Sequence, residues 1–191
     1  MKRRPPGYEN SVVNAIEPKV LHALRGLQSS QRWPLVMTGL TGSGKTSAAA
    51  VLYGTFHQLP MWHRADDLLL AVSMGRKEGV QVDTLNAFGE TVRRSIKFQD
   101  FVNRVIGCSC LFLDDLGTRS PTEPMYGALF DLLEWRKDRP LCVTTNKSAV
   151  ELAELYDDRI ASRLSSGTVI KFGGSDRREK SQAVIVDSQG R

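Results

Sequence analysis

A parallel β-sheet with helices on both faces is the fold class that the sequence predicts, and three observations predict it. Short apolar runs alternate along the chain with longer stretches whose apolar residues recur at helical spacing. Several of the short runs are apolar throughout, as strands buried on both faces must be. Glycine-rich or acidic residues follow at the carboxyl ends of those runs, the edge of such a sheet where ligands bind. Strands joined through helices in this way make an α/β fold, here with five parallel strands.

In chain order, residues 1–32 read as an arm and a helix ahead of the core. The arm, residues 1–11, has Lys2, Arg3 and Arg4 followed by two prolines and a glycine, and Val12 to Leu27 carries helical spacing broken by Pro18. After a turn near Ser29–Pro34, a core over 33–191 begins with Leu35-Val-Met37, a buried strand that ends in glycines. Thr46 to Gln58 reads as the helix behind it. Met61-Trp-His63 is a second, weaker strand, and Ala65 to Met74 a helix. Residues 75–90 contain glycine and are polar, which predicts an irregular excursion. Thr91 to Val105 is predicted helical, with Ile96, Phe98, Phe101, Val102 and Val105 as its apolar set. Cys110-Leu-Phe-Leu113 is a strand, Met125 to Arg136 a helix, and Leu141-Cys-Val143 a strand. Ala149 to Leu164 is mostly helical, Thr168 to Phe172 alternates like a last strand, and Ala183 to Val186 could add an edge strand.

Composition excludes several classes. The 191 residues suffice for one domain with a sizeable core, and 41% hydrophobic with 25% charged residues is ordinary for a globular protein. No apolar run is long enough to span a bilayer, and the basic N-terminus leads into no apolar signal region. Cys108, Cys110 and Cys142 cannot all pair within one chain, and Cys108 and Cys110, in or beside an apolar run, read as small buried thiols, which predicts a reducing, cytoplasmic setting. His22, His57 and His63 have no ligand-like spacing with the cysteines, and no G-x-S-x-G elbow occurs. The net charge of +5 permits nucleic-acid binding without establishing it. Its clusters are the N-terminal one, Arg93, Arg94 and Lys97, and Arg177, Arg178 and Lys180; each alone also reads as solvated surface.

Four motifs carry chemistry. Gly39-Leu-Thr-Gly-Ser-Gly-Lys45-Thr46 fits G-x-x-x-x-G-K-[ST] in full, between a buried strand and a helix start. Glycines let backbone wrap a phosphate without Cβ clashes, and N–H groups of Gly42, Ser43, Gly44 and Lys45 would face the anion at the helix N-terminus. The nucleotide-binding candidates are Gly39, Thr41, Gly42, Ser43, Gly44, Lys45, Thr46 and Ser47. Lys45 reaches the β- and γ-phosphates of ATP, and the Thr46 hydroxyl is a ligand for Mg²⁺. In Leu111-Phe-Leu-Asp114-Asp115 a strand ends in two acids; Asp114 suits Mg²⁺ and Asp115 suits orienting an attacking water, the alternative for Asp115 being a solvent-facing acid or a helix cap. Leu141-Cys-Val-Thr-Thr-Asn146 delivers an amide to the same edge, where Asn146 bonds the γ-phosphate or the water, or else caps the helix starting near Ser148. Arg159 and Arg163 share a helix face, where an arginine could serve as a finger, the alternative being helix salt bridging, for instance of Arg159 with Glu151 or Asp157.

Together these residues resemble the DnaC/IstB-type branch of the AAA+ ATPases, replicative helicase loaders and transposition helper ATPases. The resemblance runs over roughly residues 33–178: the phosphate loop, Asp114-Asp-Leu-Gly117, the helix ending in Glu134-Trp-Arg136, Thr144-Thr-Asn146, Arg159-Ile-Ala-Ser-Arg163-Leu, and Gly174-Ser-Asp-Arg-Arg178. It implies a P-loop NTPase of AAA+ type, with Asn146 as sensor 1, Arg163 as a finger acting in trans, and Arg177 or Arg178 as a sensor-2-like residue. It also implies side-by-side homo-oligomers that form with ATP and engage DNA, expected here as single-stranded DNA, or a replicative helicase or transposase. The chain departs from the common pattern in carrying Asp115 where many relatives have glutamate. Only 32 residues precede the core, fewer than a loader's helicase-binding domain, and too few follow the last strand for a full helical lid. The expected activity is hydrolysis of ATP to ADP and phosphate; a P-loop kinase of a small molecule and an ATP-switched adaptor that turns over little are the rivals.

Overall fold

The computed structural model describes Pro5 and residues 33–56, 59–85 and 91–173. The arm and helix expected within 1–32, the edge strand expected at 183–186, and Arg177 and Arg178 lie outside the described residues.

A five-stranded parallel sheet forms the centre, in the order β2-β5-β6-β1-β7. Its strands are β1 (Leu35–Gly39), β2 (Met61–Arg64), β5 (Leu111–Leu116), β6 (Leu141–Thr145) and β7 (Thr168–Phe172). The order follows from composition. Leu35-Val-Met37, Leu111-Phe-Leu113 and Leu141-Cys-Val143 are buried throughout and take the three central places, where both faces are covered. Met61 to Arg64 and the alternating Thr168 to Phe172 are only partly buried and take the edges.

Period-two alternation splits each central strand between two cores. Leu35, Met37, Phe112 and Cys142 face α1 (Lys45–Tyr53), which presents Ala48, Ala49, Val51 and Leu52. An aromatic group closes this layer toward the β2 edge, with Trp62 stacked on Phe112 at 5.4 Å between ring centroids and Tyr53 and Phe56 edge-on to Phe112. Val36, Leu111, Leu113, Leu141 and Val143 face the other way, into the larger core. That core is covered by α2 (Ala65–Glu78), α3 (Phe98–Gly107), α4 (Glu123–Trp135), α5 (Ala149–Leu155) and α6 (Asp158–Ser165). No helix among the described residues is long and apolar enough to cross a membrane.

Two expectations need correction. Residues 75–90 are not an irregular excursion throughout: α2 continues to Glu78, and Val80–Leu85 forms β3. Thr91 does not begin a helix; Thr91–Ile96 is β4, antiparallel to β3 in a separate two-stranded ribbon, and the helix starts at Phe98. The β-branched Thr91, Val92 and Ile96 suit a strand, and Val80 anchors the ribbon by packing over Gly75, where any Cβ would sit 2.4 Å from Val80 Cγ2. Strand pairing turns Arg93 and Arg94 to opposite sides of the ribbon, whereas a helix would have grouped them with Lys97. The stretch 149–164, expected to be mostly helical, is so, as two helices: Asp157 caps a new start by accepting the Ile160 N–H at 2.8 Å.

Candidate nucleotide site

β1 leads straight into the phosphate loop. Gly39 has φ 148°, and a Cβ there would lie 2.3 Å from the Phe172 carbonyl oxygen of the neighbouring β7. Gly42 and Gly44 have φ 77° and 96°, the left-handed region that favours glycine. Gly44 occupies the N-cap of α1 with no side chain to satisfy the first-turn N–H groups, so that turn keeps donors for an anion. Ser43 is buried within the loop, Thr41 is exposed on it, and Thr46 and Ser47 are half-buried at the helix start. The Lys45 side chain is buried, and its Nζ donates to the carbonyls of Gly39 and Leu40, each at 2.8 Å, inside the loop.

β5 and β6 bring the acids to the same edge. The Asp114 carboxylate is buried, and its Oδ1 accepts from the Thr46 hydroxyl at 3.0 Å and from the Thr144 hydroxyl at 2.6 Å. Thr144 in turn accepts the Asp115 N–H at 2.9 Å. The β5–β6 register shifts between Leu113 and Leu116, a bulge at the two acids, and Asp115 sits there at φ 58°. The bulge turns consecutive acids apart: Asp114 inward to Thr46, Asp115 to a half-buried position beside it. A left-handed Asp is tolerated better than most residues, and the Thr144 bond holds it. Burial is the main influence pushing the Asp114 carboxyl up; the Thr144 bond pulls it down, the Asp115 charge raises it, and the Thr46 bond and Arg64, its register partner on β2, lower it.

Threonine hydroxyls lace the strand ends together. Thr145 Oγ1 donates to the Leu116 carbonyl at 2.7 Å and accepts the Lys147 N–H at 3.1 Å, while Thr38 Oγ1 donates to the Lys147 carbonyl at 2.7 Å. Thr144 is the functional residue that sequence reasoning left without a role. Its signal was present: a hydroxyl in an otherwise apolar buried strand needs partners. Asn146 lies exposed just past β6 and does not cap α5; Ser148 does, in a capping box with Glu151.

Thr46 and Asp114 supply a hydroxyl and a carboxylate oxygen 3.0 Å apart beside the loop. That hard-oxygen pair fits Mg²⁺, which completes its shell with water and phosphate rather than an all-protein cage. A cleft of about 1450 Å³ runs from Asp114 along β2, α2 and the ribbon, past Leu59, Leu70 and Met74.

Arg163 stands apart from this cluster. It lines a cleft with Trp33, Pro34 and Leu141, at the amino ends of β1 and β6, whereas Lys45 and Asp114 lie at the carboxyl edge. Its Nε and Nη2 donate to Glu134 Oε1 at 2.8 and 2.6 Å, and its guanidinium carbon lies 4.5 Å from the Phe130 ring centroid. Arg163 therefore does bridge an acid, one on α4 rather than on its own helix; Arg159 is exposed one turn earlier.

No protein-family model matches the chain, and no curated protein matches it. Solved structures do. A DNA replication initiation factor superposes with a TM-score of 0.67 at 19% identity, over 93% of this chain and 53% of that one. The DnaC helicase loader gives 0.69 at 17% identity, over 88% of this chain and 100% of that one. A replication initiator DnaA bound to AMPPCP and single-stranded DNA gives 0.64 at 21% identity, over 90% of this chain and 51% of that one. The chain thus spans about half the length of the two initiators. The likeness is one of fold: an α/β P-loop fold of AAA+ type, with the five-stranded parallel sheet between helices.

Proposed function

We propose that this AAA+ chain binds ATP with Mg²⁺ at the loop between β1 and α1 and hydrolyses it to ADP and phosphate. The observation that carries the reading is the hydrogen-bonded set Thr46–Asp114–Thr144–Asp115 at the mouth of a complete phosphate loop. Loop N–H groups and Lys45 bind the phosphates, and Thr46 and Asp114 hold the metal. Mg²⁺ supplies charge neutralisation on the β- and γ-phosphates. Asp115 orients water for attack on the γ-phosphorus as the bond to the bridging oxygen breaks, and Asn146 fixes that water or the γ-phosphate. Arg163 completes the site of a neighbouring subunit, a role supported by its position at the opposite edge of the sheet from its own loop. Arg177 or Arg178, both outside the described residues, is the proposed sensor-2-like contact.

In this reading the chain forms ATP-dependent homo-oligomers that act in DNA replication, on single-stranded DNA or a replicative helicase. The names of the similar structures support that direction. A transposition helper of IstB type shares the same machinery. One observation favours a small-molecule kinase instead: the 1450 Å³ cleft that reaches Asp114. ATP titration with and without Mg²⁺ tests the site. Wild type should bind ATP more tightly with Mg²⁺, and Lys45→Ala should lose tight binding while melting normally. Unchanged ATP affinity in Lys45→Ala would remove the site assignment, and ADP release that requires an added small-molecule acceptor would replace hydrolysis with kinase chemistry.

A further inference from the structure

Glu134 and Phe130 are four residues apart on α4 and so share one helix face. Together they hold the Arg163 guanidinium from two directions. Glu134 takes the Nε–Nη2 edge at 2.8 and 2.6 Å, and the guanidinium carbon sits over the Phe130 ring, 4.5 Å from its centroid. Among the described residues no group accepts a hydrogen bond from Nη1, the remaining edge. A second tie joins the other ends of the same two helices: the Tyr126 hydroxyl donates to Asp157 at 2.5 Å, and Asp157 caps α6. The α4–α6 surface is thereby fixed at both ends while its cores face inward through Leu129, Leu133, Ile160 and Leu164.

An arginine side chain has several rotors, and ordering it at the moment of use costs rate. A carboxylate on one edge and an aromatic ring on one face remove that cost beforehand. Glu134 and Arg163 keep side-chain exposures of 42% and 37%, so the arrangement is presented at the surface rather than locked in the core. We infer that Glu134 and Phe130 are positioning residues that aim the free edge of Arg163 at a phosphate bound by a second copy of this chain. The inference rests on the reading of Arg163 as a residue that completes a neighbour's site.

The test uses the full chain and measures turnover at saturating ATP, nucleotide affinity, and melting. Glu134→Ala should turn over about two- to fivefold more slowly than wild type, the span that an exposed ion pair is worth, with ATP affinity unchanged. Combined with Arg163→Ala it should be no slower than Arg163→Ala alone. The deciding readout is rescue in trans. An excess of Lys45→Ala subunits, which keep Glu134 and Arg163 together, should restore turnover per Glu134→Ala subunit, because the intact arginine now comes from the neighbour. A merely structural defect in α4 would travel with its own subunit and would not be rescued. If Glu134→Ala melts lower than wild type, Phe130→Leu carries the same comparison. Wild-type turnover in Glu134→Ala and Phe130→Leu, or slowing without rescue, while Arg163→Ala is slow, overturns the positioning role and leaves the finger standing. Wild-type turnover in Arg163→Ala itself overturns the finger and the inference with it.

Discussion

Replacing Thr144 by valine keeps shape and volume and removes one hydroxyl, yet that hydroxyl serves both acids of the site. It donates to the buried Asp114 carboxylate at 2.6 Å and accepts the Asp115 N–H at 2.9 Å. Losing the bond to the carboxylate and leaving the Asp115 N–H unmatched should together cost about 2–4 kcal/mol. For a chain of this length that lowers the melting temperature by roughly 5–12 °C. The Asp114 carboxyl, already raised by burial, loses its largest downward influence and rises further. Asp115, held at φ 58° in the bulge, loses the bond that orients it. Thr144→Val should therefore bind ATP less tightly only in the Mg²⁺-dependent part and hydrolyse it far more slowly, whereas Thr144→Ser, which keeps the hydroxyl, stays near wild type. Melting curves, ATP titrations with and without Mg²⁺ and single-turnover hydrolysis measure each part. A Thr144→Val protein that melts within about 1 °C of wild type and hydrolyses at the wild-type rate would refute the linkage.

Further outcomes separate the remaining groups. Asp115→Asn should slow hydrolysis much more than binding, and Asp114→Asn should weaken Mg²⁺-dependent binding; wild-type turnover in both would overturn their roles. DNA binding should be weak, tolerant of sequence and strengthened by ATP, with each phosphate contact removed lowering the log–log salt slope by roughly 0.7 to 0.9; affinity indifferent to salt would remove nucleic acid as a partner. Because β4 turns Arg93 and Arg94 apart, their alanine variants should affect that slope unequally. The Tyr126 bond, then the Ile160 N–H, holds the Asp157 carboxyl below the usual range. A depressed folded-state pKa contributes stability above the unfolded value of about 4 that is lost as pH falls through the lower folded value, so Asp157→Asn should flatten the fall in melting temperature below about pH 4.

The legible part of the fold was the part that one-dimensional pattern controls. Leu35-Val-Met37, Leu111-Phe-Leu113 and Leu141-Cys-Val143 are buried on both faces, so their apolar continuity marked them, and the glycines and acids at their ends marked the site edge. The phosphate loop was legible because backbone wrapping needs glycine at fixed places. The β3–β4 ribbon was not, because strand identity there depends on pairing across a turn, and the apolar residues after Thr91 also fit a helical period. The break at Asp157 was legible in principle, since an acid three residues before Ile160 is a cap, but continuous helical spacing on both sides concealed it. Thr144 was missed because a hydroxyl's partners come from strands distant in sequence. The bridge from Arg163 to Glu134 on α4 was not legible, because spacing shows only the neighbours on an arginine's own helix.

In the proposed reading, the phosphate loop of one subunit and Arg163 of the next make one working site. Turnover by an equal mixture of Lys45→Ala and Arg163→Ala subunits tests it most directly. Each variant alone should hydrolyse little ATP, and the mixture should recover activity that rises with total protein concentration, because an intact arginine then meets an intact loop across a subunit contact. A mixture as inactive as its parts, beside wild-type turnover per subunit that does not change with concentration, would contradict the account.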